Sequence, residues 1–311
     1  MYQESGANIE VLLTVDWEGS DLRPKNLETI KRFKERYQVP LFHFLNPAYY
    51  TQDLKLNNTA INDSICSVLT SEDGRGLHLH PSRHLVEAAG LTFQPGPTFS
   101  RRGKCTGLEE GADVMLHAYP YQDLERLIGF SRDVLESQGF SDLEGFRAGG
   151  WMADPTVCEC VKLHGLEFES SGTLGSLLNG SSWEGDNLQR YIEILWPEIH
   201  MNSSPYWMET SFGELLEVPN NLGAVDYWSE EAVDFFVSTT LNEGRQQGRY
   251  LAVINSHQET ASDHWYKMGL FVERLQQACE TQGVGLKFIS SPRQRGQWQE
   301  DLTLPVAEFS L

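Results

Sequence analysis

The chain has 311 residues, 40% of them hydrophobic and 11% aromatic, and a formal net charge of −20. That charge repels polyanions and anionic membrane surfaces, so the sequence excludes a nucleic-acid partner. No apolar run approaches the ~20 residues needed to span a bilayer, which excludes a membrane span of the helical kind. The acidic residues are dispersed rather than gathered in a tail, as in a solvated surface. The start, "MYQESGANIE", lacks the basic opening and apolar core of a secretory signal. A cytoplasmic protein is therefore expected, the alternative being an exported one with its signal removed. Five cysteines, an odd number, suit reduced thiols better than a disulfide framework. Neither a repeat nor a low-complexity linker divides the chain, so a single domain over 1–311 is expected.

Taken in order, apolar runs alternate with amphipathic ones. "IEVLLTVDWEG" reads as a buried strand that ends in carboxylates. "PKNLETIKRFKERY" reads as a helix opened by Pro24, with Leu27, Ile30 and Phe33 at helical spacing. "VPLFHFL" is a strand, "AINDSICSVLTSEDG" a helix with a turn, and "GLHLH" a strand. In "PYQDLERLIGFSRDVLESQG" Leu124, Leu127, Ile128 and Leu135 share one helical face, and Gly139 is a stop. "LEGFRAGGW" is a strand leading into a glycine turn, "PTVCECVKLHG" a helix and "LEFESS" a strand. The same rhythm closes the chain, with strand "GELLEVP", helix "SEEAVDFFVSTTLNEG", strand "YLAVINSH", helix "WYKMGLFVERLQQACETQG" and strand "VGLKFIS". Strands alternating with helices predict an α/β fold, a parallel sheet or barrel. Residues 85–118 and 175–213 break the rhythm and are rich in Gly, Pro, Ser and Trp, as loop insertions bordering a site would be.

In parallel α/β folds ligands bind beyond the carboxyl ends of the strands, so the polar residues there are the candidates. The first strand ends in Asp16-Trp17-Glu18, whose carboxylates, two positions apart, share a side. The "GLHLH" strand places His78 and His80 on one face, and His84 follows Pro81. A helix starting at Pro81 would bring His80 and His84 within one turn of each other. Another strand ends in Arg147, followed by Gly149, Gly150 and Trp151, and a late one ends in Asn255-Ser256-His257-Gln258-Glu259. A carboxylate with two imidazoles is the donor set of a catalytic zinc site that keeps a position open for water. A spare carboxylate to take a proton and a spare histidine to give one complete the parts for metal-assisted hydrolysis of an amide or ester.

The order of these motifs resembles the polysaccharide deacetylase family with NodB homology, over residues 9 to 290. Thr14-Val15-Asp16-Trp17-Glu18-Gly19 is similar to that family's Thr-x-Asp-Asp motif. Gly74-Arg75-Gly76-Leu77-His78-Leu79-His80-Pro81-Ser82-Arg83-His84 lies over its histidine motif. Phe146-Arg147-Ala148-Gly149-Gly150-Trp151 is similar to its Phe-Arg-x-Pro motif, and Val253-Ile254-Asn255-Ser256-His257 to its last strand. The resemblance implies a distorted, incomplete (β/α)7-type barrel. By it Asp16 would be the general base, oriented by Arg147, and His257 the general acid. His80 and His84 would bind zinc or another divalent transition metal. Glu18 would stand in for the second aspartate of the motif, replaced here by Trp17, although Asp16 and Glu18 could exchange roles. His78 adds an imidazole, as a supporting group or an alternative ligand. Gly149 and Gly150, which replace prolines, would loosen their loop and border the substrate with Trp151 and Glu217. Trp183, Trp196, Trp207 and Trp228 are further candidates for stacking on sugar rings. The function implied is metal-dependent removal of an N-acetyl group from a carbohydrate in bacterial surface-glycan or cell-wall metabolism. A glycan-binding protein on a decayed scaffold and a deformylase-like amide hydrolase are the alternatives.

Overall fold

The structure, a computed structural model, describes residues 7–100, 110–178 and 185–292. Trp183 lies outside the described residues. The chain order is β1 (Asn8–Asp16), α1 (Pro24–Tyr37), β2 (Phe42–Leu45), α2 (Asn58–Cys66), β3 (Gly74–Leu79), α3 (Arg83–Ala88) and α4 (Tyr121–Ser137). Then come β4 (Gly145–Ala148), α5 (Pro155–Leu163), β5 (Phe168–Glu169), α6 (Gly185–Leu195), β6 (Tyr206–Thr210) and β7 (Gly213–Glu217). The chain ends with α7 (Ala232–Gln247), β8 (Arg249–His257), α8 (Ala261–Gln282) and β9 (Gly285–Phe288). The helix boundaries follow local chemistry. Pro24 and Pro155 open α1 and α5, where a missing N–H costs nothing, and Asp154 caps α5 by accepting from Val157 N at 2.9 Å.

One sheet runs β6-β7-β5-β4-β3-β2-β1-β8, with β9 also paired to β1. Every pairing is parallel except β6 with β7. The sheet curls so that its two faces see different neighbours. One face packs on the helices through a large cluster that includes Val11, Leu13, Val15, Leu77 and Phe146. The other encloses a small cluster of strand residues, Leu12, Phe42, Phe44, Phe168, Leu216, Val218, Leu251 and Val253, with Ile289. This inner layer works by size matching: Gly76 and Gly145 leave the space that Phe42, Phe44 and Phe168 fill. Between β7 and β8 an irregular segment replaces a strand. Asn221 donates to Leu251 O at 2.8 Å and accepts from Val253 N at 2.9 Å, closing the gap with side-chain bonds. The barrel is thus incomplete and distorted, with mostly parallel strands.

Three elements lie wholly or partly where the sequence predicts loops. The stretch 175–213 contains α6 and the antiparallel edge strand β6, and α3 forms one short helix before the rest of 85–118. β6 has only one neighbour and alternates between half-buried and exposed residues, so it carries no apolar run to announce it. The cysteines Cys66, Cys158, Cys160 and Cys279 are free thiols. Among the described residues no helix is long and apolar enough to cross a membrane.

Candidate active site

Strand alternation sorts the polar residues at the carboxyl ends. Asp16 lies on the inner face with Leu12 and Thr14, beside His257 in the β1–β8 register, and His78 lies beside Arg147 in the β3–β4 register. Trp17 points the other way. It is fully buried in the helix-side cluster, and its indole N–H donates to His43 Nδ1 at 3.1 Å. The position of the resembled motif's second aspartate therefore turns its back on the site, and Glu18, one residue on, turns inward.

Glu18 Oε2 lies 2.9 Å from His80 Nε2, and its Oε1 lies 3.4 Å from His78 Nε2 and 3.6 Å from His257 Nε2. Among the described residues Glu18, His78 and His80 form the one group whose donor atoms could share a metal ion, all within 4.8 Å of one another. Each imidazole is oriented from behind. His78 Nδ1 donates to Arg147 O at 3.0 Å, and His80 Nδ1 donates to Ala112 O. A carbonyl only accepts, so both rings carry their proton on Nδ1 when neutral and aim the Nε2 lone pair at the carboxylate. Neither Nε2 makes a hydrogen bond, although both are buried. Two lone pairs facing a carboxylate fit a cation between them. Burial alone would raise the Glu18 carboxyl, but His80 and His78, through the positive charge and Nε2–H bonds they offer when protonated, outweigh it and hold it well below the usual carboxylate range. His80 answers in kind: burial would lower it, and Glu18 raises it.

His84 is not in this group. It sits in α3, which starts at Arg83 rather than Pro81, and its Nδ1 lies 2.8 Å from Thr51 Oγ1. The expected pairing of His80 with His84 gives way to His78 with His80. His80 lies just past the end of a strand, where the period is two, and not on a helix, where it would be four.

Asp16 is held on both oxygens, by Arg147 NH1 at 3.0 Å and by Asn255 Nδ2 at 2.9 Å. Arg147 is fully buried. It also donates to Thr14 Oγ1 at 2.7 Å, Ser170 O at 2.8 Å and Ser170 Oγ at 2.7 Å, and its guanidinium stacks 4.4 Å over the Phe44 ring. With its donors so committed, the guanidinium fixes the carboxylate's orientation. On the far side His257 Nδ1 lies 3.1 Å from Asp226 Oδ2. Burial alone would lower His257. Asp226, with Glu18 and Asp16 behind it, pushes it up to about 10, which leaves an imidazolium at neutral pH.

Two residues of the site, Asp226 and Ser170, go unnoticed in the sequence, and Glu259 is seen there only as part of a polar strand end. Asp226 lies in a 3₁₀ turn after β7, inside "GAVDYW", where neither strand period nor spacing marks it. Ser170 stands just past the end of β5 and carries no motif. Glu259 accepts from Glu18 N at 3.1 Å and from Tyr49 O–H at 2.5 Å, and burial, with the Glu18 charge adding to it, raises it to about 8.

Of the expected substrate-contacting residues, Trp151 stands nearest, its ring 6.4 Å from His257 and 6.3 Å from Tyr227. Gly149 and Gly150 form the turn beside His80. Glu217 cannot line the site. It pairs with Glu169 in the β5–β7 register, and both are fully buried on the helix face of the sheet. Trp196 and Trp228 are core residues whose indoles donate to Trp151 O and Leu222 O, both at 3.0 Å, while Trp207 is exposed on β6.

No family model and no curated protein matches the sequence. Solved structures do. A candidate polysaccharide deacetylase from Mycobacterium smegmatis superposes with a TM-score of 0.54 at 12% identity, covering 93% of this chain and 89% of that one. The chain has the fold of the polysaccharide deacetylases. Looser likenesses include the Xyl-CE4 domain of a multidomain xylanase from the hindgut metagenome of Trinervitermes trinervoides, with a TM-score of 0.41 at 10% identity over 91% and 88% of the two chains. Another is a family 4 carbohydrate esterase from Streptomyces lividans, with 0.39 at 11% over 91% and 94%. At such identities the deacetylase fold is shared and the chemistry rests on the side chains.

Proposed function

We propose that the chain is a metal-dependent hydrolase that removes an N-acetyl group from a carbohydrate, with Glu18, His78 and His80 holding zinc or another divalent transition metal. One observation carries the reading: the buried, hydrogen-bond-free Nε2 atoms of His78 and His80 face the Glu18 carboxylate, with Asp16 and His257 flanking it. Three protein donors of this kind leave a coordination position open, the mark of a catalytic rather than a structural site. When bound, the ion supplies Lewis acidity, acidifying a water and polarising the acyl carbonyl.

The chain's own residues supply the proton transfers. Asp16, its two oxygens oriented by Arg147 and Asn255, takes the proton from the attacking water as the general base. His257, kept protonated by Asp226, gives its proton to the amine nitrogen as the C–N bond breaks, so the amine leaves neutral. Asp226 and Arg147 touch no reacting atom and act by holding these two groups in place. Trp151, packed beside His257, covers the acyl end and keeps bulk water from the imidazolium. The fold shared with the Mycobacterium smegmatis protein supports a glycan substrate.

The test joins elemental analysis of the purified chain to acetate release from N-acetylated glucosamine oligomers. The reading expects about one zinc-type ion per chain and acetate release that stops in His78→Ala. A chain that takes up no divalent ion contradicts it. One that binds the ion and retains the oligomers without releasing acetate is a glycan-binding protein instead.

A further inference from the structure

Gly149 and Gly150 stand together in the turn after β4 for different reasons. Gly150 has φ +61°, a left-handed conformation that favours glycine. Gly149 is not among the positive-φ residues, so its backbone would accept any side chain. What excludes one is space. A Cβ on Gly149 would lie 2.3 Å from His80 Nδ1, 2.5 Å from its Cε1 and 2.6 Å from its Cγ, inside the imidazole ring's own volume. The ring has nowhere to retreat. Its Nδ1 is bound to Ala112 O, its Nε2 faces Glu18 Oε2 at 2.9 Å, it packs edge-to-face with His78 at 4.8 Å between ring centres, and His80 as a whole is only 5% exposed.

We propose that Gly149 is a positioning residue for the metal site: the side chain it lacks is the seat into which the His80 imidazole is set. Far from loosening its loop, this glycine fixes one of the three donors. The pair is coupled. A His-x-His strand end can aim both rings at Glu18 only if the neighbouring turn gives up a side chain, so position 149 accepts one only when the His80 ring is removed. The proposal rests on Glu18, His78 and His80 as the metal-holding group, and it goes beyond that reading by naming the residue that sets their geometry. A glycine kept for the approach of substrate would behave differently, since a methyl there would raise KM and leave metal affinity alone.

The test is zinc titration of the full chain in competition with a chromophoric chelator, run on wild type, Gly149→Ala, His80→Ala and the double variant, with thermal melts of the metal-free proteins alongside. Gly149→Ala is expected to weaken zinc binding 10-fold or more, the scale on which lost support of a ligand acts. Cobalt in its place should show a changed visible spectrum. In the melts Gly149→Ala should lower Tm when His80 is present and have little effect when position 80 is alanine, because the cavity then admits the methyl. Wild-type zinc affinity in Gly149→Ala would overturn the proposal, as would an equal Tm loss in both backgrounds. A wild-type chain that binds no zinc would instead overturn the reading beneath it, and the melts would still decide whether residues 80 and 149 are coupled.

Discussion

Two clusters of carboxyl groups, buried but for the half-buried Glu18, lie on opposite faces of the same sheet, and their chemistry is opposite. On the inner face Asp16 and Glu18 have cations and imidazoles for neighbours: Arg147 on one, His78, His80 and His257 around the other. Their negative charge is matched, and the Glu18 carboxyl is held low. On the outer face Glu169 and Glu217 meet across β5 and β7 with Cys158 and Tyr206 near them. Burial first, then the charge of Glu169, pushes the Glu217 carboxyl well above its ordinary range. Glu217 Oε1 accepts from Gly172 N at 2.8 Å, while Oε2 finds no donor. A proton on that oxygen, given to Glu169, completes the pair. Burial alone therefore does not make a carboxyl reactive. The company it keeps decides whether it waits for a cation or keeps a proton.

The inner face gives the largest effects. His257→Ala should lower kcat by about 10²–10⁴-fold, the share of a general acid, while zinc binding survives. A variant that loses zinc along with activity would place His257 among the ligands. Arg147→Met leaves Asp16 buried without its partner and should cost about 3–5 kcal/mol of stability, read by urea denaturation. A loss under 1 kcal/mol would mean that Asn255 alone holds the carboxylate. Asp226→Asn is a milder change, sharpened by its sign. Without the carboxylate His257 falls from about 10, so the alkaline limb of kcat against pH should move to lower pH. An unmoved limb would detach Asp226 from the acid.

The outer face gives the smallest effect. Glu217 keeps its proton in the folded chain and, once unfolded, releases it above about 4.5. The native state thus binds the extra proton, and stability falls as pH rises past that value. Glu217→Gln, whose amide can donate to Glu169 as the acid does, should be more stable than wild type near pH 7, with the gain vanishing toward pH 4. A variant less stable at pH 7 would show that Glu217 is ionised and paired.

Much of this is written in strand period. "VLLTVDWEG" announces a strand, and alternation alone sends Asp16 inward, Trp17 outward and Glu18 inward again. The same rule, applied to "GLHLH", puts His78 and His80 on one face, whereas matching a family motif position by position ranks His84 above His78. The fold keeps the period and places His84 on Thr51. Glu217 errs in the same way. Its place at a strand end is legible, but the face it takes depends on register with β5. Asp226 is invisible because an irregular segment carries it to His257 and no periodicity describes such a segment. Gly149 is visible only as a missing proline, and its purpose needs the ring of His80 in three dimensions.

The proposed metal holders are Glu18, His78 and His80, and not His84. Zinc titration of His78→Ala and His84→Ala beside wild type tests this assignment most directly. His78→Ala is expected to lose tight binding and His84→Ala to keep it. Tight binding in His78→Ala with loss in His84→Ala would contradict it.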